Sequence, residues 1–153
     1  MYLFLTILFS FTTFNLSESE NYSKTELSNQ LSNDWKIEYV DNEIKIESSK
    51  LIILDKTNGT NQERIVFKYT NLTFKKLTLS FARTLYYDGK CYGCDNQEKR
   101  FEILLNPSET KSYDDLTKDK LYFIFSKDLN NTIKKTLDSF QILKIEKHFN
   151  EIK

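Results

Sequence analysis

The chain has 153 residues, and its 22 Lys+Arg balance 22 Asp+Glu, so the formal net charge is zero. That length suits one domain with an ordinary core, and the charge balance argues against a nucleic-acid binder, which needs a basic surplus to neutralise phosphates. One His, three Gly and two Cys exclude a Gly-rich phosphate cradle and a metal site built from several His or Cys ligands, so no cofactor is expected.

A single Ala (Ala82) stands against 12 Phe, 9 Tyr and 13 Ile. This bias disfavours helix and favours strand. The first 17 residues carry no charged side chain and hold Leu3, Phe4, Leu5, Ile7, Leu8, Phe9, Phe11 and Phe14. Such a block reads as the apolar region of a secretory signal peptide, assigned to residues 1–19, with Ser17-Glu18-Ser19 as the nearest small-residue cleavage pattern. It falls short of the about 20 apolar residues of a bilayer crossing, so no membrane span is expected once the leader is removed. A buried N-terminal strand or helix is the competing account. Residues 20–33, rich in Ser, Asn, Glu and Lys, read as a mobile polar linker, and residues 34–153 as the folded domain.

From Trp35 onward, apolar side chains recur with a period of two, the signature of a half-buried strand. Trp35, Ile37 and Tyr39 form one such face. Asp41-Asn42 can turn the chain, and Ile44 and Ile46 continue beyond it. Leu51 to Leu54 reads as a separate central strand, Lys56 to Gln62 as a loop around Asn58-Gly59, and Ile65, Phe67 and Tyr69 as the next strand face. The longest candidate runs from Lys76 to Tyr87, with Leu77, Leu79, Phe81, Leu85 and Tyr87 on one side. Arg83 alone breaks that side, which suggests a sheet rim or a bulge. Later strands are Arg100 to Leu105, ended by Asn106-Pro107-Ser108, then Leu121 to Ser126, then Phe140 to Phe149. A parity switch between Ile142 and Leu143 predicts a bulge in the last. Only Asn131 to Asp138 reads as helical. Seven or eight short strands without alternating helices imply an all-β fold, an antiparallel, immunoglobulin-like β-sandwich.

Cys91-Tyr92-Gly93-Cys94 is the most specific local motif. A redox-active dithiol would need its first Cys at a helix N-terminus, where the thiolate is stabilised. Half of a zinc site would need two more ligands, and His148 is the one His in the chain. A small disulfide clipping a loop between strands suits an exported protein. Tyr86, Tyr87 and Tyr92 surround this loop, where aromatic rings can stack on a glycan or grip a protein partner. The simpler account puts Tyr87 in the core face and Tyr86 in a cross-strand pair. His148 reads as solvent-facing, and Asp114-Asp115 as part of a solvated turn rather than a glycosidase pair. Asn21, Asn58, Asn71 and Asn130 head N-glycosylation patterns, which matter only in a eukaryotic source.

The run QERIVFKYTNLTFKKLTLSFARTLYYDGKCYGCDNQEKRFEILLNPSET, Gln62 to Thr110, resembles a family of small exported proteins of Bacteroidota-type bacteria. In that family a strand ending in Asn-x-Thr precedes a long strand, a Tyr-rich turn, a C-x-x-C-like loop and a charged strand closing in Asn-Pro-x-Glu. The resemblance implies export and a β-sandwich, with no assigned activity and no catalytic residues. Some members carry further Cys after the Pro turn; Lys111-Ser112-Tyr113 has none, so no second disulfide is expected. The expected function is that of a secreted or periplasmic, non-enzymatic binding or envelope-associated module for a protein or glycan partner. The Tyr86 to Cys94 loop is its contact region. A thiol–disulfide protein using Cys91 and Cys94 is the alternative, and a small inhibitor or immunity-type protein a third.

Overall fold

The structure, a computed structural model, describes residues 28–55, 59–94, 100–113 and 119–149. They form ten strand segments and, among the described residues, no helix. In the first sheet a long hairpin of β3 (Ile44–Asp55) and β4 (Thr60–Asn71) pairs without interruption from Ile44↔Asn71 to Asp55↔Thr60. β1 (Ser28–Leu31) and β2 (Lys36–Val40) follow one another along the free edge of β3. β8 (Thr110–Ser112) and β9 (Phe123–Asp128) do the same along β4. In the second sheet β5 (Leu77–Tyr87) is central. β10 (Leu137–Phe149) lies on one side of it, with β6 (Lys90–Tyr92) and β7 (Arg100–Leu105) in succession on the other. The segments therefore fill four lanes in one sheet and three in the other, and every pairing is antiparallel.

The period-two pattern decides which sides face inward. Ile44, Ile46, Phe67 and Tyr69 of the first sheet meet Leu77, Leu79, Phe81, Ile103 and Leu105 of the second, all buried. Rings interlock across the layers: Tyr69 to Phe81 at 5.5 Å between centroids and Phe67 edge-on to Phe140 at 5.3 Å. Each such side chain contributes about 1.5–3 kcal/mol by leaving water. The result is an all-β, two-sheet sandwich arrangement.

Several sequence expectations change. Residues 28–31, assigned to a linker, form β1 on the edge of β3, because edge pairing uses backbone groups and needs no apolar side chain. The rest of that stretch before residue 28, and the whole leader, lie outside the described residues. Leu51 to Leu54 is the second half of β3 rather than a strand of its own. Asn131 to Asp138 is not helical. There the Asp128 carboxylate accepts the N–H groups of Asn130, Thr132 and Ile133 and the Thr132 hydroxyl, so the chain wraps around a side chain in place of a helical ladder. These bonds hold Asp128 below the usual carboxylate range. The bulge expected in the last strand is present: register shifts between Leu143 and Glu146, where Lys144 takes a φ of 52°. Asn106-Pro107-Ser108 closes a turn in which the Glu109 N–H bonds the Asn106 carbonyl, at 3.1 Å, and Ser108 has a φ of 54°.

Candidate functional site

β5 and β6 join through two residues, Asp88 (φ 48°) and Gly89 (φ 72°), flanked by the pair Tyr87↔Lys90. Two successive positive φ values suit the right-handed twist of a tight hairpin. The turn is held from the β10 side: the Asp88 N–H donates to the Thr136 carbonyl (3.2 Å) and the Gly89 N–H to Asp138 Oδ2 (2.7 Å). After β6 the chain turns at Gly93 (φ 86°), where a Cβ would stand 3.4 Å from the Arg83 carbonyl oxygen. Cys91 and Cys94 lie at disulfide distance, with Cα atoms 6.0 Å apart. Cys91 belongs to a strand, so no helix N-terminus is available to activate it. The Tyr86 oxygen lies 3.7 Å from Cys94 Sγ; a disulfide sulfur has no proton, so the hydroxyl is the donor.

Register sorts the three tyrosines. Tyr92 pairs with Leu85 and shares the inward side of β5 with Tyr87, whereas Cys91 pairs with Tyr86 on the outward side. Tyr87 and Tyr92 meet edge to face at 5.6 Å and line a cavity of about 400 Å³ between this hairpin and β9. Tyr86 does not line it. Phe101 of β7 and Phe123 and Phe125 of β9 complete the aromatic walls. The Lys135 ammonium rests over both tyrosine rings, 4.3 Å from Tyr87 and 4.2 Å from Tyr92. The Tyr87 hydroxyl donates to the Phe125 carbonyl at 2.5 Å, joining the two sheets behind the cavity, and burial pushes its pKa up to about 12.

Arg83 belongs to the same lining and was expected at a rim or bulge. It occupies neither. β5 runs straight through it, and its side chain is only 6% exposed on the inward face. The guanidinium sits 4.9 Å from the Phe67 ring and 4.5 Å from the Phe101 ring. It donates to the Lys120 carbonyl (2.5 Å) and, at 3.5 Å, to the Leu121 carbonyl, which also accepts the Tyr69 hydroxyl (2.8 Å). Burial lowers the Arg83 pKa and raises that of Tyr69 well above the ordinary phenol value. The guanidinium nevertheless remains charged at any physiological pH. Among the described residues no carboxylate lies within ion-pair distance of it. Asp119 exerts a field on Arg83, but its Oδ1 accepts the Leu121 N–H at 2.9 Å. One charge on an otherwise apolar strand face was the sequence signal for this residue. The cavity around it draws on β5, β6, β7 and β9 and had no signal of its own.

A second depression between the sheets is lined by both signs of charge, Lys36, Lys50 and Lys127 with Glu38, Glu63 and Asp138. Its Glu63 is within 3.9 Å of Lys50 and 3.6 Å of Lys127 and accepts the Ser126 hydroxyl at 2.8 Å, so charge there is satisfied internally. His148 is exposed, 4.0 Å from Glu146. No cluster of three or more metal-capable side chains occurs among the described residues. Asp114 and Asp115 lie outside them, as do Asn21 and Asn58. Asn71 is buried and cannot accept a glycan: its Nδ2 donates to the carbonyls of Lys75 (2.7 Å) and Asn106 (2.8 Å). Its Oδ1 accepts the Thr73 N–H and hydroxyl, both at 2.9 Å. Compared with known proteins, the chain matches no protein-family model, no curated protein and no solved structure.

Proposed function

We propose that the chain is an exported, non-enzymatic binding protein, secreted or periplasmic, that takes an apolar or aromatic group into the cavity beneath the Tyr86–Cys94 hairpin. The observation that carries this reading is an open volume of about 400 Å³ walled by Tyr87, Tyr92, Phe101, Phe123 and Phe125. Its rim is the hairpin clipped by Cys91 and Cys94. Concave, largely apolar sites with a few placed polar groups are what small ligands use. Support for export comes from the apolar leader in the sequence and from a Cys pair at disulfide distance. Support for an immunoglobulin-like form comes from the crossover pattern. β4 lies beside β9 in one sheet, and the cores of the two following lanes, β5 and β10, lie side by side in the other.

Titration of the folded chain with the neutral fluorescent probe N-phenyl-1-naphthylamine tests the reading. One saturable site is expected, weakened about tenfold in Tyr92→Ala, whose ring is half-exposed and removable without opening the core. Absence of saturable binding rejects it. The thiol–disulfide alternative is separated by the reduction potential of Cys91–Cys94: a structural bridge lies below about −300 mV, an oxidoreductase pair well above it.

A further inference from the structure

We infer that the ligand of this cavity is a small organic acid, whose carboxylate is held by Arg83 and whose aromatic or aliphatic body lies between the aromatic walls. The inference rests on the binding role proposed above and adds the charge of what binds. Three of the residues lining the cavity are cationic, Arg83, Lys120 and Lys135, and none of its described lining residues is acidic. This is so in a chain whose total charge is zero. Several cations elsewhere in the molecule meet carboxylates: Lys147 meets Asp41 at 2.7 Å, Arg100 meets Glu146 at 2.6 Å, and Lys68 meets Glu47 at 3.2 Å.

Arg83 is the most costly of these charges to leave without a counter-ion, because it is the one withdrawn from water. Its two hydrogen bonds among the described residues go to neutral carbonyls, and its faces are covered by Phe67 and Phe101. Carbonyls and ring faces stabilise a cation only in part. A guanidinium has five N–H donors in a planar fork that matches a carboxylate. The donors not spent on Lys120 and Leu121 have no partner among the described residues, and Arg83 lines the cavity. Lys135, parked on the two tyrosine rings at the other side, adds a second positive charge within the same walls. The proposed acid would meet Arg83 at the floor, aromatic faces along its body and Lys135 beside the hairpin.

The test loads the folded chain with N-phenyl-1-naphthylamine and displaces it with 4-phenylbutyrate or with the matching alcohol, 4-phenylbutanol. The acid is expected to displace the probe at a concentration at least tenfold lower. Arg83→Met should bring acid and alcohol together, and Lys135→Met should narrow the gap by about threefold. Because Arg83→Met removes a buried, hydrogen-bonded group and can unfold the chain, the wild-type comparison and Lys135→Met carry the test by themselves. Equal displacement by acid and alcohol overturns the inference and leaves the cavity a neutral binding site. Failure of the probe to bind overturns the binding role and this inference with it.

Discussion

Asn71 shows how much one polar side chain can fix. Its four hydrogen bonds join the end of β4, the approach to β5 and the turn after β7. Asn71→Ala removes all four bonds at a buried site and leaves the Thr73 N–H without its acceptor, so a loss of about 2–3 kcal/mol is expected in urea or thermal unfolding. Ser108 is the opposite case. It holds a φ of 54° in the Asn106–Glu109 turn, a region costly for a residue with a Cβ. Ser108→Gly should raise stability by about 0.5 kcal/mol, read as a higher melting temperature. At this scale the sequence was partly legible. Pro107 announced the turn, and the apolar neighbours of Arg83 marked it as odd. Asn71 looked like a glycan acceptor because a three-residue pattern carries no information on burial.

At the scale of elements, legibility followed burial. β5 was readable in full because its inward side is apolar at every position but one, and the parity switch in β10 disclosed its bulge. β1 was invisible, since its contribution to the sheet is backbone pairing. The turn after β9 misread as helix because Asp128 organises it through side-chain bonds that periodicity does not register. The disulfide closes a very short loop at an exposed hairpin, so replacing Cys91 and Cys94 with Ser should cost about 2 kcal/mol at most by loop-closure entropy. The chain should stay folded by circular dichroism, while Ellman titration of the unreduced wild type finds no free thiol. A larger loss would mean that the hairpin supports the core as well as the cavity rim.

For the whole molecule, the two sheets are tied at the end away from the hairpin by Lys147. This β10 lysine contacts Asp41 at 2.7 Å and also pairs with Glu43, both in the β2–β3 turn. Burial acts to raise the Asp41 pKa, but the Lys147 ammonium, the N–H groups of Ile44 and Glu43 and the Tyr39 hydroxyl outweigh it and hold it well below the usual carboxylate range. Hydrogen bonds to Asp41 and Glu43 hold Lys147 above the usual ammonium value. Asp41, lowered on folding, contributes fully above the unfolded pKa of about 4, and its contribution fades as pH falls. Lys147, raised on folding, contributes fully below about 10, and its contribution fades as pH rises. Lys147→Met should therefore cost about 1–2 kcal/mol between roughly pH 5 and 9, with the difference shrinking on both sides of that window. Unfolding midpoints across pH for both chains would check this. The cavity lies at the level where no sequence pattern reaches, because its residues meet only after both sheets have formed.

The edges beside that cavity are each made of two pieces. Along β5, β6 reaches Leu85 and β7 begins at Ala82, so Arg83 falls in the gap between them. Along β4, β9 ends at Val66 and β8 begins at Lys68, so Phe67 falls in the facing gap, beneath the Arg83 guanidinium. Each side of a gap is held in register by its own ladder. Both residues are held instead from their other side, Arg83 opposite Ile142 of β10 and Phe67 opposite Ser48 of β3. The positions of Arg83 and Phe67 are thus set by the β5–β10 and β3–β4 ladders, so substitutions in the shorter edge pieces β6, β7 and β9 can reshape the cavity walls without displacing these two residues.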